Sequence, residues 1–130
     1  MQKPIVIFLI MLFMHIVDDY YLQGILAKMK QRKWWKENAP DQKYSKDYIA
    51  ALIAHAFSWS FLICLPWTYL ALTTGILNQY EILAVIILNT VIHSVVDDAK
   101  ANKLSINLIV DQSIHLVQII ATFIVFYLTM

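Results

Sequence analysis

Four apolar runs, near residues 4–26, 48–72, 80–101 and 105–130, constrain this chain more than any other feature. Each approaches the ~20 residues that an α-helix needs to cross a bilayer. Only two glycines and three prolines punctuate the chain, which favours long helices over many short strands. Apolar residues make up 60% and charged residues 15%. An ordinary soluble domain has about 45–50% and about 25%. The expected fold is all-α: an integral-membrane antiparallel four-helix bundle, with residues 1–130 as a single domain. A soluble helical bundle with a very apolar core is the alternative.

The connection over residues 27–46 is strongly basic. It holds Lys28, Lys30, Arg32, Lys33, Lys36, Lys43 and Lys46, with Trp34 and Trp35 among them and Pro40 breaking any long helix. Such a stretch suits a loop lying on lipid headgroups. It also suits a cationic mouth that gathers an anionic substrate. Lys100 and Lys103 put the third connection on the same side, and the opposite side holds only Lys3. The positive-inside bias then sets both basic connections in the cytoplasm and both termini outside, in an inner (cytoplasmic) membrane. The opening Met1-Gln-Lys-Pro-Ile lacks a small-residue cleavage site, so the first span is expected to be retained. Asp47 is expected to cap the second span, and Pro66 to kink it.

Ionisable residues interrupt all four apolar runs: His15 with Asp19, His55, His93 with Asp97, and Asp111 with His115. A spacing of four stacks two side chains on one helix face. At about 100° per residue, Asp98 falls about 140° from His93, so Asp97 is the inward carboxylate. Asp18 lies about 60° from His15, on the other side from Asp19. All seven of these His and Asp residues lie roughly 5–17 Å from the cytoplasmic ends of their spans. Four helices thus aim imidazole or carboxylate at one depth. Gln23, Asn89 and Gln112 are expected behind them, as partners of the ligands.

Bare carboxylates in an apolar bundle need protons or counter-charges. A divalent cation supplies the charge, and imidazole with carboxylate suits zinc, or manganese, iron or nickel. The seven residues His15, Asp19, His55, His93, Asp97, Asp111 and His115 exceed what one tetrahedral ion takes. They fit one ion, or two sharing a bridging carboxylate. A metal-free proton relay and purely structural polar contacts are the alternatives. The single Cys64 excludes an internal disulfide and a cysteine zinc cluster. No Gly-rich phosphate loop, serine-nucleophile motif or nucleic-acid module is present.

The pattern His15-x-x-x-Asp19-x-x-x-Gln23, Lys28, an isolated His55, His93-x-x-x-Asp97-x-x-Lys100 and Asp111-Gln112-x-x-His115 resembles a family. It is similar to the small bacterial and phage membrane proteins grouped as domain of unknown function 3307, over almost the whole chain. Members often carry glycine where this chain has Asp18. The resemblance implies a membrane-bound, metal-dependent hydrolase and leaves its substrate open.

Three functions follow as expectations. The first is a hydrolase acting on a phosphoester or lipid-linked substrate. In it Lys28 and Lys100 steady an anionic group and Asp18 is the general base. The second is a transporter or channel for a metal ion or proton using the same residues. The third is a non-catalytic membrane module with a structural metal. Four spans are few, which admits a homodimer through Cys64 or the fourth helix.

Overall fold

The computed structural model describes residues 4–129, so Lys3 lies outside the described residues. Among these the chain is all-helical, without strands. Four segments are long and apolar enough to cross a membrane: Pro4–Leu22, Gln42–Thr74, Gln79–Ala101 and Leu108–Thr129. The first comprises α1 (Pro4–Ile16) and a π-helical stretch, Val17–Leu22. It stops four residues before the expected Leu26, because the chain turns at Gly24. There φ is +47°, a left-handed conformation that a Cβ would disfavour. Two short helices follow, α2 (Leu26–Met29) and α3 (Arg32–Asn38), so the basic connection is folded rather than extended.

The second long helix, α4 (Asp47–Thr74), begins with Asp47 as its first helical residue. The cap position is Lys46 and no side chain bonds there, so the expected Asp47 cap is not formed. Pro66 lies within α4, which runs through it as one element. Gly75 ends the helix at φ +67°, its N–H bonded to the Ala71 carbonyl at 2.9 Å. Asn78 caps α5 (Gln79–Ala101) by accepting the Tyr80 N–H. The last helix, α6, spans Leu108–Thr129. Helix α4 packs on α1 and α5, and α6 packs on α5 and α1.

The polarity of the molecule is inverted relative to a water-soluble domain. Large apolar side chains such as Phe13, Phe57, Leu83, Ile87, Val117 and Leu128 are exposed. The buried interior has two parts. One is apolar, built on Met11, Trp59, Ile63, Trp67, Ile119 and Phe126, with the Trp67 indole N–H donating to the Met11 sulfur at 3.1 Å. The other is polar and holds every histidine in the chain together with four aspartates. It forms where the C-terminal parts of the first helix and α5 meet the N-terminal parts of α4 and α6.

The π-helical stretch decides which aspartates enter that polar part. At about 100° per residue, adjacent residues of an α-helix cannot both point at one centre. Here the Gln23 N–H bonds to the Asp18 carbonyl, five residues back, at 3.1 Å. The wider turn buries both neighbours: Asp18 is 1% exposed and Asp19 8%. Wide turns of this kind recur at functional sites.

Candidate metal centre

Two groups of ligand atoms face each other in the polar interior. In the first, Asp19 Oδ1 lies 3.3 Å from His55 Nε2 and 3.9 Å from His93 Nε2. The two Nε2 atoms are 3.3 Å apart. Asp97 Oδ2 lies 3.5 Å from His55 Nε2 and 3.8 Å from His93 Nε2. In the second group, His115 Nε2 lies 3.3 Å from Asp111 Oδ1 and 3.7 Å from Asp97 Oδ1. Asp97 therefore turns one oxygen to each group.

These separations fit a metal. Ligands about 2.0–2.2 Å from a tetrahedral zinc lie about 3.3–3.6 Å from one another. The Asp19, His55 and His93 atoms, 3.3–3.9 Å apart, need to close by only a few tenths of an ångström. The hydrogen-bond inventory agrees. Asp111 Oδ1 and His115 Nε2 are buried without a hydrogen-bond partner, as are Asp18 Oδ2 and the Nδ1 atoms of His55 and His93. Leaving a buried polar atom unpaired costs about 1–3 kcal/mol, and more for a charged group. Protons or a cation between them would satisfy such facing acceptors, and mixed imidazole and carboxylate donors suit a divalent transition metal.

The histidine ligands are aimed from behind. His115 Nδ1 lies 3.1 Å from Gln118 Oε1, which can only accept, so Nδ1 carries a proton and Nε2 faces Asp111 and Asp97. Gln118 is held in turn by Asn89, whose side-chain and backbone oxygens accept from Gln118 Nε2 at 3.1 and 3.3 Å. Asn89 Nδ2 donates to Thr122 at 2.8 Å. His55 Nδ1 lies 3.3 Å from Asp18 Oδ2, and a small ring rotation joins these two unpaired atoms. Asp18 is itself oriented by the Ser58 hydroxyl at 2.6 Å. His93 packs against the rings of Trp59 and His115, with centroids 4.3 and 4.0 Å away, and these two rings also touch each other at 5.4 Å. Such outer partners fix tautomer and ring direction at metal sites.

Six of the seven expected ligands meet in this way. His15 is the exception, since both its nitrogens are engaged. Nδ1 accepts from the Trp59 indole at 2.8 Å, so Nε2 carries the proton and donates to Gln112 Oε1 at 3.1 Å. His15 therefore stands beside the ligands, with its Nδ1 3.6 Å from Asp19 Oδ2. Gln112 is behind the ligands as expected, donating to Asp19 Oδ2 and Asp111 Oδ2 at 3.1 Å each. Gln23 braces the π-turn by donating to the Asp19 backbone carbonyl. Asn89 acts one step further out, through Gln118. Asp98 is off the site, paired with Lys103 at 3.4 Å.

The three residues expected to act on substrate are placed differently from one another. Lys100 reaches the centre and donates to Asp111 Oδ2 at 2.6 Å. Lys28 is exposed and does not. Lys30 takes that place, donating to Asp97 Oδ2 at 2.6 Å. Asn102 aims it, bonding the Lys30 carbonyl at 3.0 Å and the Arg32 N–H at 2.7 Å. Asp18 sits behind His55, with Oδ2 3.3 Å from His55 Nδ1 and so on the ring edge away from Nε2. Sequence reasoning missed Lys30, Gln118, Asn102 and the part played by Trp59. Gln118 had a usable signal, its i, i+3 spacing from His115. Lys30 had none, since its reach depends on the fold of the connection.

No family model matches the chain, and neither a curated protein nor a solved structure does.

Proposed function

We propose that the chain is an integral-membrane, antiparallel four-helix protein with a divalent transition-metal centre, most fittingly zinc, in its cytoplasmic half. We further propose that this centre hydrolyses a phosphoester or lipid-linked phosphate, and that the resemblance to domain of unknown function 3307 reflects kinship. The observation that carries the metal is Asp97, with one oxygen toward each of two ligand groups. The apolar exterior and polar interior support the membrane setting, because lipid favours that inversion. The basic connections support a cytoplasmic location for the site.

Asp19, His55 and His93 would hold an ion, with Asp97 Oδ2 at 3.5 Å from His55 Nε2 beside them. His93, Asp97 and His115 form a second set that would hold an ion, with Asp111 Oδ1 at 3.3 Å from His115 Nε2 beside them. A bound ion supplies Lewis acidity and a water acidic enough to deprotonate near neutral pH. The chain itself supplies the rest. Lys100 and Lys30 bring ammonium groups to the edge of the centre, where they steady an anionic substrate. Trp59 and its apolar neighbours exclude water from the outward side. That same packing weakens the transport reading: Met11, Trp59, Ile63, Trp67 and Phe126 are each 0% exposed, and an ion path needs polar groups there. A structural metal is the second reading, favoured by the complete burial of His93, Asp111 and His115.

Elemental analysis of the detergent-purified protein, beside hydrolysis of 4-nitrophenyl phosphate, tests both. We expect stoichiometric metal, lost together with turnover in Asp97→Ala and His93→Ala and restored to the chelated wild type by zinc. Absence of stoichiometric metal overturns the proposal, as does a His93→Ala protein that keeps both properties. Stoichiometric metal without turnover on phosphoesters favours the structural reading.

A further inference from the structure

Granted the metal centre proposed above, we propose that it holds one ion at a time, which takes either of two overlapping positions around His93 Nε2. The close ligand sets share that residue. Asp19, His55 and His93 bring one ligand atom each within 4.8 Å of one another, and so do His93, Asp97 and His115. A further triangle joins the two sets. Asp97 Oδ2 is 3.5 Å from His55 Nε2 and 3.8 Å from His93 Nε2, and these nitrogens are 3.3 Å apart. The same atom, His93 Nε2, faces Asp19 Oδ1 at 3.9 Å. A neutral imidazole has one lone pair at its acceptor nitrogen, and that pair serves one ion. An ion beside Asp19 and His55 therefore takes His93 from the set with Asp97 and His115. An ion in that second set leaves Asp19 and His55 as a pair, fewer than the three protein ligands of an open zinc site.

Charge sets the same limit. Asp18, Asp19, Asp97 and Asp111 are all buried. Lys30 and Lys100 pair with Asp97 and Asp111 at 2.6 Å each. Histidines bind metal as neutral imidazoles. Four carboxylates and two ammoniums then leave two negative charges, which one divalent ion cancels. A second ion brings two uncompensated positive charges into the interior, where unpaired charge is strongly disfavoured. The joining triangle also gives the ion a way across. It exchanges Asp19 for Asp97 and then His55 for His115, and keeps His93 throughout. The hydrolysis proposed above then runs with a single ion, and Lys30 and Lys100 stand in place of a second cation.

The test counts zinc, and separately cobalt(II), per chain in the full-length protein in detergent, with free metal raised through chelator buffers. The wild type should saturate at about one ion per chain, a count that depends on no variant's folding. Asp19→Ala and His115→Phe each remove one position and keep the other. Each should still bind about one ion, at least about tenfold more weakly than the wild type. Their cobalt absorption spectra should differ, because the ligands that remain differ. His93→Ala removes the shared nitrogen and should lose the ion, with helical circular dichroism reporting that all three variants fold. Two ions per wild-type chain overturn the proposal. So does a folded Asp19→Ala or His115→Phe protein that binds no metal, which means one fixed position. Identical cobalt spectra in those two variants, or a His93→Ala protein that keeps its ion, overturn it as well. Metal absent from the wild type overturns the centre itself, a separate outcome.

Discussion

Replacing Asp18 with asparagine separates a positioning residue from a general base. The carboxylate is 1% exposed, with one oxygen 2.6 Å from the Ser58 hydroxyl and the other 3.3 Å from His55 Nδ1. Asparagine has nearly the same shape. Its amide oxygen can face His55 Nδ1–H while its amide nitrogen donates to Ser58, so packing and contact are kept and only the charge is lost. A hydrogen bond to a charged group contributes about 1.5–3 kcal/mol, against about 0.5–1.5 for a neutral pair. The difference, about 1–1.5 kcal/mol, is about five- to tenfold in affinity. That sits at the lower edge of the 10–100-fold range typical of groups that orient a metal-binding histidine. Zinc affinity of Asp18→Asn should therefore fall about tenfold, read by competition against a fluorescent chelator in detergent, with helical circular dichroism unchanged. Ser58→Ala should weaken binding less, because it leaves the carboxylate in place. Affinity within twofold of wild type would falsify the positioning role. Lost turnover at unchanged zinc affinity would return Asp18 to the role of base.

Three further outcomes are expected. Gln118→Leu removes the acceptor that fixes the His115 tautomer, so zinc affinity should fall about tenfold, by the same chelator competition; an unchanged affinity would contradict this. Lys30→Met leaves Asp97, 3% exposed, without its cation and should destabilise the metal-free protein by about 3 kcal/mol while raising zinc affinity, whereas Lys28→Met should change neither in chemical unfolding. Matching behaviour of the two variants would refute the assignment of Lys30. Leu104 holds φ +53° in an exposed turn, so Leu104→Gly should stabilise the fold by about 0.5–1 kcal/mol. A lower unfolding midpoint would show that the Leu104 side chain matters more than its backbone strain.

Much of the centre was legible in the chain because helix geometry is nearly constant. His93 with Asp97, and Asp111 with His115, are i, i+4 pairs on regular α-helices, and rotation at 100° per residue is enough to put them on one face. The same rotation removes Asp98, which the fold pairs with Lys103. The length of the apolar runs set the four helices to within a few residues, since backbone satisfaction and span length leave little freedom. The inward carboxylates and the shared depth followed from position along those helices.

What escaped depends on departures from that regularity, or on atoms far away in sequence. Asp18 faces inward because one turn is π-helical, and a fixed rotation per residue cannot foresee a wider turn. His15 has the spacing of a ligand, yet Trp59 and Gln112, from two other helices, occupy both its nitrogens. Lys30 outcompetes Lys28 because Asn102, 72 residues away, clamps its carbonyl. The chain by itself thus determined four apolar helices and the faces on which histidine and aspartate gather. Only the tertiary structure decided which nitrogen or oxygen of each group is free to bind, because hydrogen bonds between helices consume donors and acceptors one atom at a time.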